Sequence, residues 1–382
     1  MKVEFLATVN MGLEKIAAHE VSDLLRVNVI QGHGSISFIA DIDAIFYLNT
    51  YSRTINKLIL TIIKATFEDL QDLYKIASFP NYTNYIERNQ SFAVRVERFG
   101  KHNFSSVEAA ARIGQGIIDS YLSDTGQRLK VNLDFPDIEF ITRIIDDNVV
   151  IGINTTGISL HKRGYKKYKH HSGLSPTIAA SMIYLSEWNQ DELLLDPMCG
   201  GGTIPIEAAL MSIKAPLFIH REKSGIRYAF EKFSFIDLEK YESLKRKAIE
   251  SIAHKVIRIL ASDISKRHVI GAKFNSKIAN LNEQIDFFVA NAVNMDRSLS
   301  RIDKVVTNPP YGKRSADLSY IKKLYEQFLS ALNKADIKTA IIITAAPKIL
   351  KQNILKNNFY IDEEIKTFNG GLITKIFKIR KA

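Results

Sequence analysis

The chain has one cysteine, Cys199, in 382 residues. That excludes a disulfide framework and any zinc site built on several thiolates, and it fits a reducing compartment. Long apolar runs are missing too. The apolar stretch Ala340 to Ala346 falls far short of the ~20 residues that a membrane helix needs. No apolar core follows Lys2 as far as Asn10, so the start does not read as a secretory leader. The expectation is a soluble, cytoplasmic protein with no metal site. Internal repeats and low-complexity tracts are absent as well. Acidic residues are the minority, with 41 Asp and Glu against 52 Lys and Arg, a formal net charge of +11. Such an excess favours a polyanionic partner, nucleic acid or an anionic membrane; the plainer alternative is a lysine-rich solvated surface.

The length suits two or three domains. Residues 2–8 alternate as a strand, Gly12 to Leu25 has helical spacing, Ser35–Ile39 reads as a strand, Ile42–Leu48 as a short helix and Leu58–Ala65 as a strand. A second α+β unit follows. Leu70–Ala77 is helical, Ser91–Glu97 alternates, Ser105–Leu122 is a helix capped by Ser105 or Ser106, and 140–145 with 148–154 form a hairpin about Asp146-Asp147. Residues 155–175 are polar, basic and Gly/Ser-bearing, which marks a boundary. Beyond it strand and helix alternate: Leu193–Leu195, helix Thr203–Lys214, Ile257–Ser262, helix Ser265–Ile278, Ile285–Ala290, Lys304–Thr307, helix Ser319–Leu332 and Thr339–Ala345. That alternation predicts a doubly wound, mostly parallel sheet. Tyr360–Phe368 and Leu372–Ile379, joined at Asn369-Gly370-Gly371, predict an antiparallel hairpin at its edge. Residues 213–256 read as a long, charged insertion.

Asp196-Pro197-Met198-Cys199-Gly200-Gly201-Gly202-Thr203 is a Gly-rich loop between a short apolar strand and a helix. Three glycines let the backbone pass close to a ligand. The spacing is not GxGxxG and no Lys follows, so a nucleotide phosphate fits poorly. A carboxylate at the loop's mouth would repel phosphate and suit the ammonium of an S-adenosylmethionine methionine moiety. A tight strand–helix turn with no ligand is the competing reading. Asp263, ending the next strand, is placed to accept both ribose hydroxyls of an adenosyl group, or simply to cap the next helix. Asn291-Ala292 follows the third strand, where the amide oxygen could receive the adenine amino group. Cys199 reads as a small packing residue rather than a nucleophile.

Val305-Val306-Thr307-Asn308-Pro309-Pro310-Tyr311-Gly312 is the most specific feature. The Asn308 amide oxygen and the Pro309 carbonyl can accept two hydrogen bonds from one NH2 group. They can then hold an exocyclic amine with its lone pair aimed at a sulfonium methyl, while Tyr311 stacks on the base. Catalysis of this kind is positioning and preorganisation rather than strong-base chemistry.

DPMCGGGTIPIEAAL (196–210), ASDIS (261–265) and TNPPYGKR (307–314) together resemble the Rossmann-fold amino-methyltransferases of the THUMP-containing RNA methylase family. FAVRVERFGKHNFSSVEAAARIGQGIIDSY (92–121) and FITRIIDDNVVIGINTTG (140–157) look like a THUMP domain, and residues 1–65 look like its ferredoxin-like companion. The resemblance implies an α/β fold with four parts. These are a ferredoxin-like domain at 1–65, a THUMP RNA-binding domain at 66–160, a basic linker at 161–176 and a Rossmann-like class I methyltransferase domain at 177–382. It implies S-adenosylmethionine held by Asp196, Gly200, Gly202, Asp263 and Asn291, with Met198, Cys199, Thr203, Glu207, Ile264, Ala292 and Asn308 beside them. Asn308, Pro309 and Tyr311 take the catalytic roles. Asn291 departs from the Asp common at its place. The motif wording is most similar to the tRNA (guanine-6, N2) methyltransferases. Large-subunit rRNA guanine-N2 enzymes share NPPYG and compete with that reading. N6-adenine methylation of RNA or DNA, and non-catalytic RNA binding, also stay open.

His161-Lys162-Arg163-Gly164-Tyr165-Lys166-Lys167-Tyr168-Lys169-His170-His171 interleaves cations with aromatics, as a segment contacting phosphates and an unpaired base would. A solvated linker is the plain alternative. Lys162, Arg163, Tyr165, Lys166, Lys167 and Lys169 are the RNA candidates there, with Lys101, Lys313 and Arg314 elsewhere. The expected partner is tRNA, its acceptor end met by the THUMP-like unit; neither a membrane nor an obligate protein partner is expected.

Overall fold

The computed structural model describes residues 2–253, 258–281, 283–294, 302–311 and 318–382. The N-terminal part runs β1 (Lys2–Val9), α1 (Glu14–Leu25), β2 (Val29–Gly32), β3 (Ser35–Asp41), α2 (Ala44–Tyr51), β4 (Ile55–Thr66), α3 (Leu70–Ser78), β5 (Ser91–Phe99), α4 (Ser106–Thr125), β6 (Lys130–Val131), β7 (Ile138–Ile145) and β8 (Asn148–Asn154). Local chemistry fixes these ends. Ser105 caps α4: its hydroxyl accepts from Glu108 N, and Glu108 Oε2 accepts from Ser105 N, 2.7 Å away. Gly126, at φ 70°, ends the helix in the left-handed region.

The strands form one eight-stranded sheet in the order β2-β3-β1-β4-β8-β7-β5-β6. All its pairings are antiparallel except those of β5 with β6 and β7. The two N-terminal units expected from the sequence thus share a sheet, joined where β4 pairs with β8 from Ile59↔Asn154 to Thr66↔Asn148. They also share a core, in which Phe5, Leu48 and Ala17 continue into Leu73, Ile113, Ile117 and Phe140.

The second part contains α5 (Pro176–Ser186), β9 (Leu194–Asp196), α6 (Thr203–Ser212), α7 (Phe218–Lys223), α8 (Leu238–Glu250), β10 (Ile259–Asp263), α9 (Lys266–Ile278), β11 (Ile285–Val289), β12 (Lys304–Thr307), α10 (Leu318–Lys334), β13 (Thr339–Thr344), α11 (Pro347–Lys356), β14 (Phe359–Asn369) and β15 (Leu372–Lys381). The sheet order is β11-β10-β9-β12-β13-β15-β14. Strands β9 to β13 run parallel, and β15 is antiparallel to both its neighbours, as the hairpin reading predicts. The chain leaves β9 toward β10 and β11, then crosses back to β12 and β13. Ligands of open α/β sheets bind at such a reversal, outside the carboxyl ends of the strands. Asp196, Asp263 and Asn308 lie at or just past those ends.

The described part of the charged insertion, residues 213–253, packs on the N-terminal part. The segment turns Phe218, Tyr228, Phe230 and Tyr241 into the core of the N-terminal sheet. Phe46 of α2 meets the Phe230 and Tyr241 rings at centroid distances of 5.4 and 5.6 Å. The charges of α8 stay on its outer face, while Tyr241 and Ala248, seven residues apart, face inward. The catalytic part therefore grips the N-terminal part with aromatic side chains.

Candidate active site

Asp196 closes β9 in the middle of the sheet and is buried. Its Oδ1 accepts from Thr307 Oγ1 at 2.9 Å and from Met198 N at 3.3 Å. Thr307 directly precedes Asn308, so one carboxylate ties the Gly-rich loop to the Asn-Pro-Pro turn. Burial raises the Asp196 carboxyl to about 7, against the lowering by Thr307 and Met198. The loop is tied to β10 as well: Cys199 N donates to Ser262 O at 2.9 Å and Gly200 N to Asp263 Oδ2 at 3.0 Å. Gly200 and Gly202 hold φ of +52° and +77°, conformations side chains rarely adopt.

Asp263 Oδ1 accepts from Ser265 N at 2.9 Å and faces His268 Nδ1 at 3.1 Å. Ile264 beside it is two-thirds exposed and Asn291 and Ala292 follow β11. Asn291 lines the cavity, and its Oδ1 accepts from Val293 N at 3.2 Å, so this oxygen caps the turn it begins.

Asn308 has both ends of its amide engaged. Nδ2 donates to Ser172 O at 3.2 Å, and Oδ1 accepts from the Tyr311 hydroxyl. The Ser172 carbonyl can only accept, so it orients the amide and fixes which end is the oxygen. Tyr325 of α10 braces the turn, with its hydroxyl 3.0 Å from Pro310 O and 2.8 Å from Thr344 Oγ1.

These groups converge on one cavity of about 190 Å³. Of the residues expected at the site, Asp196, Met198, Cys199, Gly200, Thr203, Asp263, Ile264, Asn291, Ala292, Asn308 and Pro309 line it. Three expectations need correction. Tyr311 is buried behind the turn and does not line the cavity; it orders Asn308 through its hydroxyl instead of offering a stacking face. Gly202 sits behind the loop, starting α6, where a Cβ would meet the Ala272 Cβ at 3.0 Å. Glu207 points away from the cavity into a buried ion cluster, fully enclosed. It accepts from Arg163 Nε and Nη2, both at 3.2 Å, and from the Tyr165 hydroxyl at 2.8 Å, with Arg53 Nη1 at 3.7 Å.

The residues that sequence reasoning missed come mostly from the segment between the two parts. His170, His171, Ser172, Gly173 and Leu174 form a strap across the cavity, joined by His268, Tyr320 and Leu324. Asn275 of α9 pins the strap: its Oδ1 accepts from Lys167 N and Tyr168 N at 3.0 and 2.8 Å, and its Nδ2 donates to Tyr168 O and Gly201 O. Tyr320, on α10, is about half exposed and puts at the cavity the aromatic side chain that Tyr311 does not. Interleaved histidines in the basic segment were the available signal; their direction was not.

The basic segment is divided in role. Arg163 and Tyr165 are buried on Glu207 and cannot touch RNA, which overturns that expectation. Lys166 is largely enclosed, with Nζ 2.6 Å from Leu174 O, and desolvation lowers it to about 8. Lys162, Lys167 and Lys169 are exposed and line a groove of about 1040 Å³ beside the N-terminal sheet, with Lys57 and Arg143. Lys101 is exposed and does not line this groove. Lys313 and Arg314 lie outside the described residues. Among the described residues, no group of three or more His, Cys, Asp and Glu is arranged to hold a metal ion, and no helix is long and apolar enough to cross a membrane.

The cavity fits S-adenosylmethionine on its own chemistry. A buried carboxylate stands at a glycine cradle, a second carboxylate ends the next strand, and an exposed aliphatic side chain lies beside it. Comparison with known proteins agrees. Residues 163–375 match the RMKL-like methyltransferase domain family, 67–154 the THUMP domain, and 4–59 the RlmL ferredoxin-like domain. The chain is 38% identical to a tRNA (guanine(6)-N2)-methyltransferase of Methanocaldococcus jannaschii, over 98% of this chain and 99% of the relative. It is 33% identical to the protein of the same name from Archaeoglobus fulgidus, over 98% and 91%. A ribosomal RNA large subunit methyltransferase K/L of Shewanella amazonensis is 27% identical over 96% of this chain but only 52% of its own length. Among solved structures, a possible methylase from Clostridium difficile 630 superposes with a TM-score of 0.89 at 26% identity, covering 100% and 99% of the two chains. SMU.472, a putative methyltransferase complexed with SAH, superposes at 0.87 with 20% identity over 100% and 98%, a likeness of fold. The chain belongs to the THUMP-containing, RMKL-like methyltransferase family, and S-adenosylmethionine is its methyl donor.

Proposed function

We propose that the protein methylates the exocyclic N2 of guanine in tRNA, at position 6 of the acceptor stem, and so acts in the cytoplasm where tRNA is found. The observation that carries the reading is that Asn308 and Pro309 open onto the same cavity as Asp196 and Asp263. The amine acceptors and the cofactor carboxylates thus serve one reaction space. The names of the two archaeal relatives, each matched along nearly its whole length, support guanine N2 and tRNA.

Bound S-adenosylmethionine supplies an electrophilic methyl on its sulfonium. The protein's task is to present the amine to it. Two N–H groups of the target donate to Asn308 Oδ1 and Pro309 O, which draws the lone pair out of conjugation with the ring. Ser172 O and the Tyr311 hydroxyl keep the Asn308 amide in that orientation. Once its nitrogen is methylated, the amine is strongly acidic and sheds its proton to water, so no buried base is needed. A base inside a paired stem must leave the stack to reach such a cavity. Lys162, Lys167 and Lys169 would hold the neighbouring phosphates.

The test is methyl transfer from labelled cofactor to unmodified tRNA, large-subunit rRNA and DNA, with the modified nucleoside and its position read by mass spectrometry. N2-methylguanosine at position 6 of tRNA is the expected product. Transfer to rRNA guanine instead would favour the second reading, motivated by the K/L relatives, and N6-methyladenine would sink both. Asn308→Ala is expected to lower kcat by about 100-fold or more, the scale of losing one preorganised partner of the reacting group, with cofactor affinity nearly unchanged.

A further inference from the structure

We infer that His171 contacts the target nucleotide at the mouth of the cavity and sets how efficiently RNA is used; the inference rests on the RNA-methyltransferase reading above. The basic groove and the methyl-transfer cavity are not separate. His170, His171, Gly173 and Leu174 line both, so the strap is the sill over which a base passes from one to the other.

Only two of these four residues carry polar side chains, and one is committed. His170 Nδ1 accepts from Ser172 N at 3.3 Å, and its ring packs edge-on to His268 at 4.4 Å and against Gly200. Leu174 is buried and Gly173 has no side chain. His171 differs. It is exposed, rests on His170 at a centroid distance of 4.2 Å, and makes no hydrogen bond or ion pair with any described residue. A flat ring is thus held at the junction of groove and cavity with both nitrogens free.

A guanine moving into the cavity sheds water from its N1–H, O6 and N7, while Asn308 and Pro309 satisfy only its amine. Edges left unpartnered would weaken binding. A neutral imidazole has one donor and one acceptor, and its face can stack on the base. Lys169 and Lys167, exposed two and four residues before His171, can hold the flanking phosphates while His171 meets the base.

The experiment compares wild type, His171→Ala and His171→Asn in the full chain. It measures kcat and KM with unmodified tRNA, or with rRNA where the wild type prefers it, and cofactor affinity by calorimetry. His171→Ala is expected to lower kcat/KM for RNA by about tenfold or more, the scale of removing one polar contact to a desolvated substrate. Cofactor Kd should stay within about twofold. His171→Asn should regain part of the loss, because an amide also donates and accepts. The inference is overturned if His171→Ala keeps kcat/KM within about twofold of an active wild type, if Asn rescues nothing, or if cofactor affinity falls in parallel. A wild type inert on every RNA overturns the functional reading and this inference together, whereas an active wild type matched by His171→Ala overturns the inference alone.

Discussion

On the proposed reading, Asp196 is asked for charge by the cofactor ammonium and denied it by its surroundings, since burial raises its carboxyl to about 7 in the free protein. Two opposite pH dependences follow. Cofactor affinity should rise as pH goes from about 6 to about 8, because the bound form wants Asp196 ionised. Stability of the free protein should move the other way. A carboxyl whose folded value lies above its unfolded one leaves the folded state holding more protons, so this group's contribution is fully present at low pH and is lost as pH rises toward and through about 7. Asp196→Asn should flatten both curves and weaken cofactor binding by about 10- to 150-fold, the worth of a charge-assisted hydrogen bond at ~1.5–3 kcal/mol. Calorimetric titration and urea unfolding across the pH range check it; an unchanged pH slope of cofactor affinity in the variant would remove the assignment. Asp196, Asp263, Asn308 and Pro309 were legible in the sequence because each sits at or just past a strand end, and Gly200 because it lies in the loop that follows one, where topology alone directs them to the crevice. Tyr311 and Glu207 were not. Each lies within a few residues of a legible neighbour, but a turn or one helical residue of rotation decides whether a side chain faces the ligand or the core.

The strap is the element that joins these residues, and its seat is narrow. A Cβ on Gly271 of α9 would come within 2.3 to 2.5 Å of three carbons of the Tyr168 ring. Alanine is the better helix former by ~1 kcal/mol, which would favour Gly271→Ala in open space. Here the clash should win, because Tyr168 is backed by the Asn275 bonds and the Gly201 backbone. Gly271→Ala is expected to push the strap off the cofactor loop, lower kcat by about tenfold or more through the Ser172–Asn308 bond, and weaken the cofactor. Tyr168→Ala should do the same, and the double variant should be no worse than Tyr168→Ala alone, since the clash and the ring vanish together. Additive losses in the double variant would show that the two residues act apart. Elements with a one-sided stripe, such as α4 and α10, were readable from spacing. The helix α5 was not, because it is buried on nearly every side and has no polar face to set a period. Strand β2 is mostly exposed and carries no alternating apolar signal. In α8 the charges outnumber the two inward residues and hide them.

At the scale of the whole molecule, Glu207 ties the catalytic part to the N-terminal part and to the connection. It lies on α6, immediately after the cofactor loop. Its partners are Arg53 from the N-terminal part and Arg163 and Tyr165 from the connection. Arg163 Nη2 also donates to Arg53 O at 2.6 Å, and Arg53 donates to the carbonyls of Leu210 and Ala215. All four side chains are buried, so none is solvated when a partner is lost. Glu207→Ala would leave the Arg163 guanidinium enclosed without its ion-pair partner and Arg53 with only the weaker pull of Glu20, and a loss of ~3–5 kcal/mol in unfolding free energy is expected. Glu207→Gln should cost somewhat less, since the amide oxygen still accepts one bond but the second position now presents a donor to Arg163. The aromatic grip of Phe218, Phe230 and Tyr241 on the N-terminal core is expected to make the two parts unfold as one cooperative unit. Urea unfolding followed separately by tryptophan fluorescence, from Trp188 in the catalytic part, and by far-ultraviolet circular dichroism over the whole chain should therefore give coincident transitions in the wild type. In Glu207→Ala the fluorescence transition should move to lower urea, and the dichroism curve with it if the grip survives. Well-separated transitions in the wild type would mean the parts fold independently. The strap would then hang between two mobile bodies, and the distance from groove to cavity, which on the proposed reading selects the nucleotide reached, would no longer be fixed by the fold.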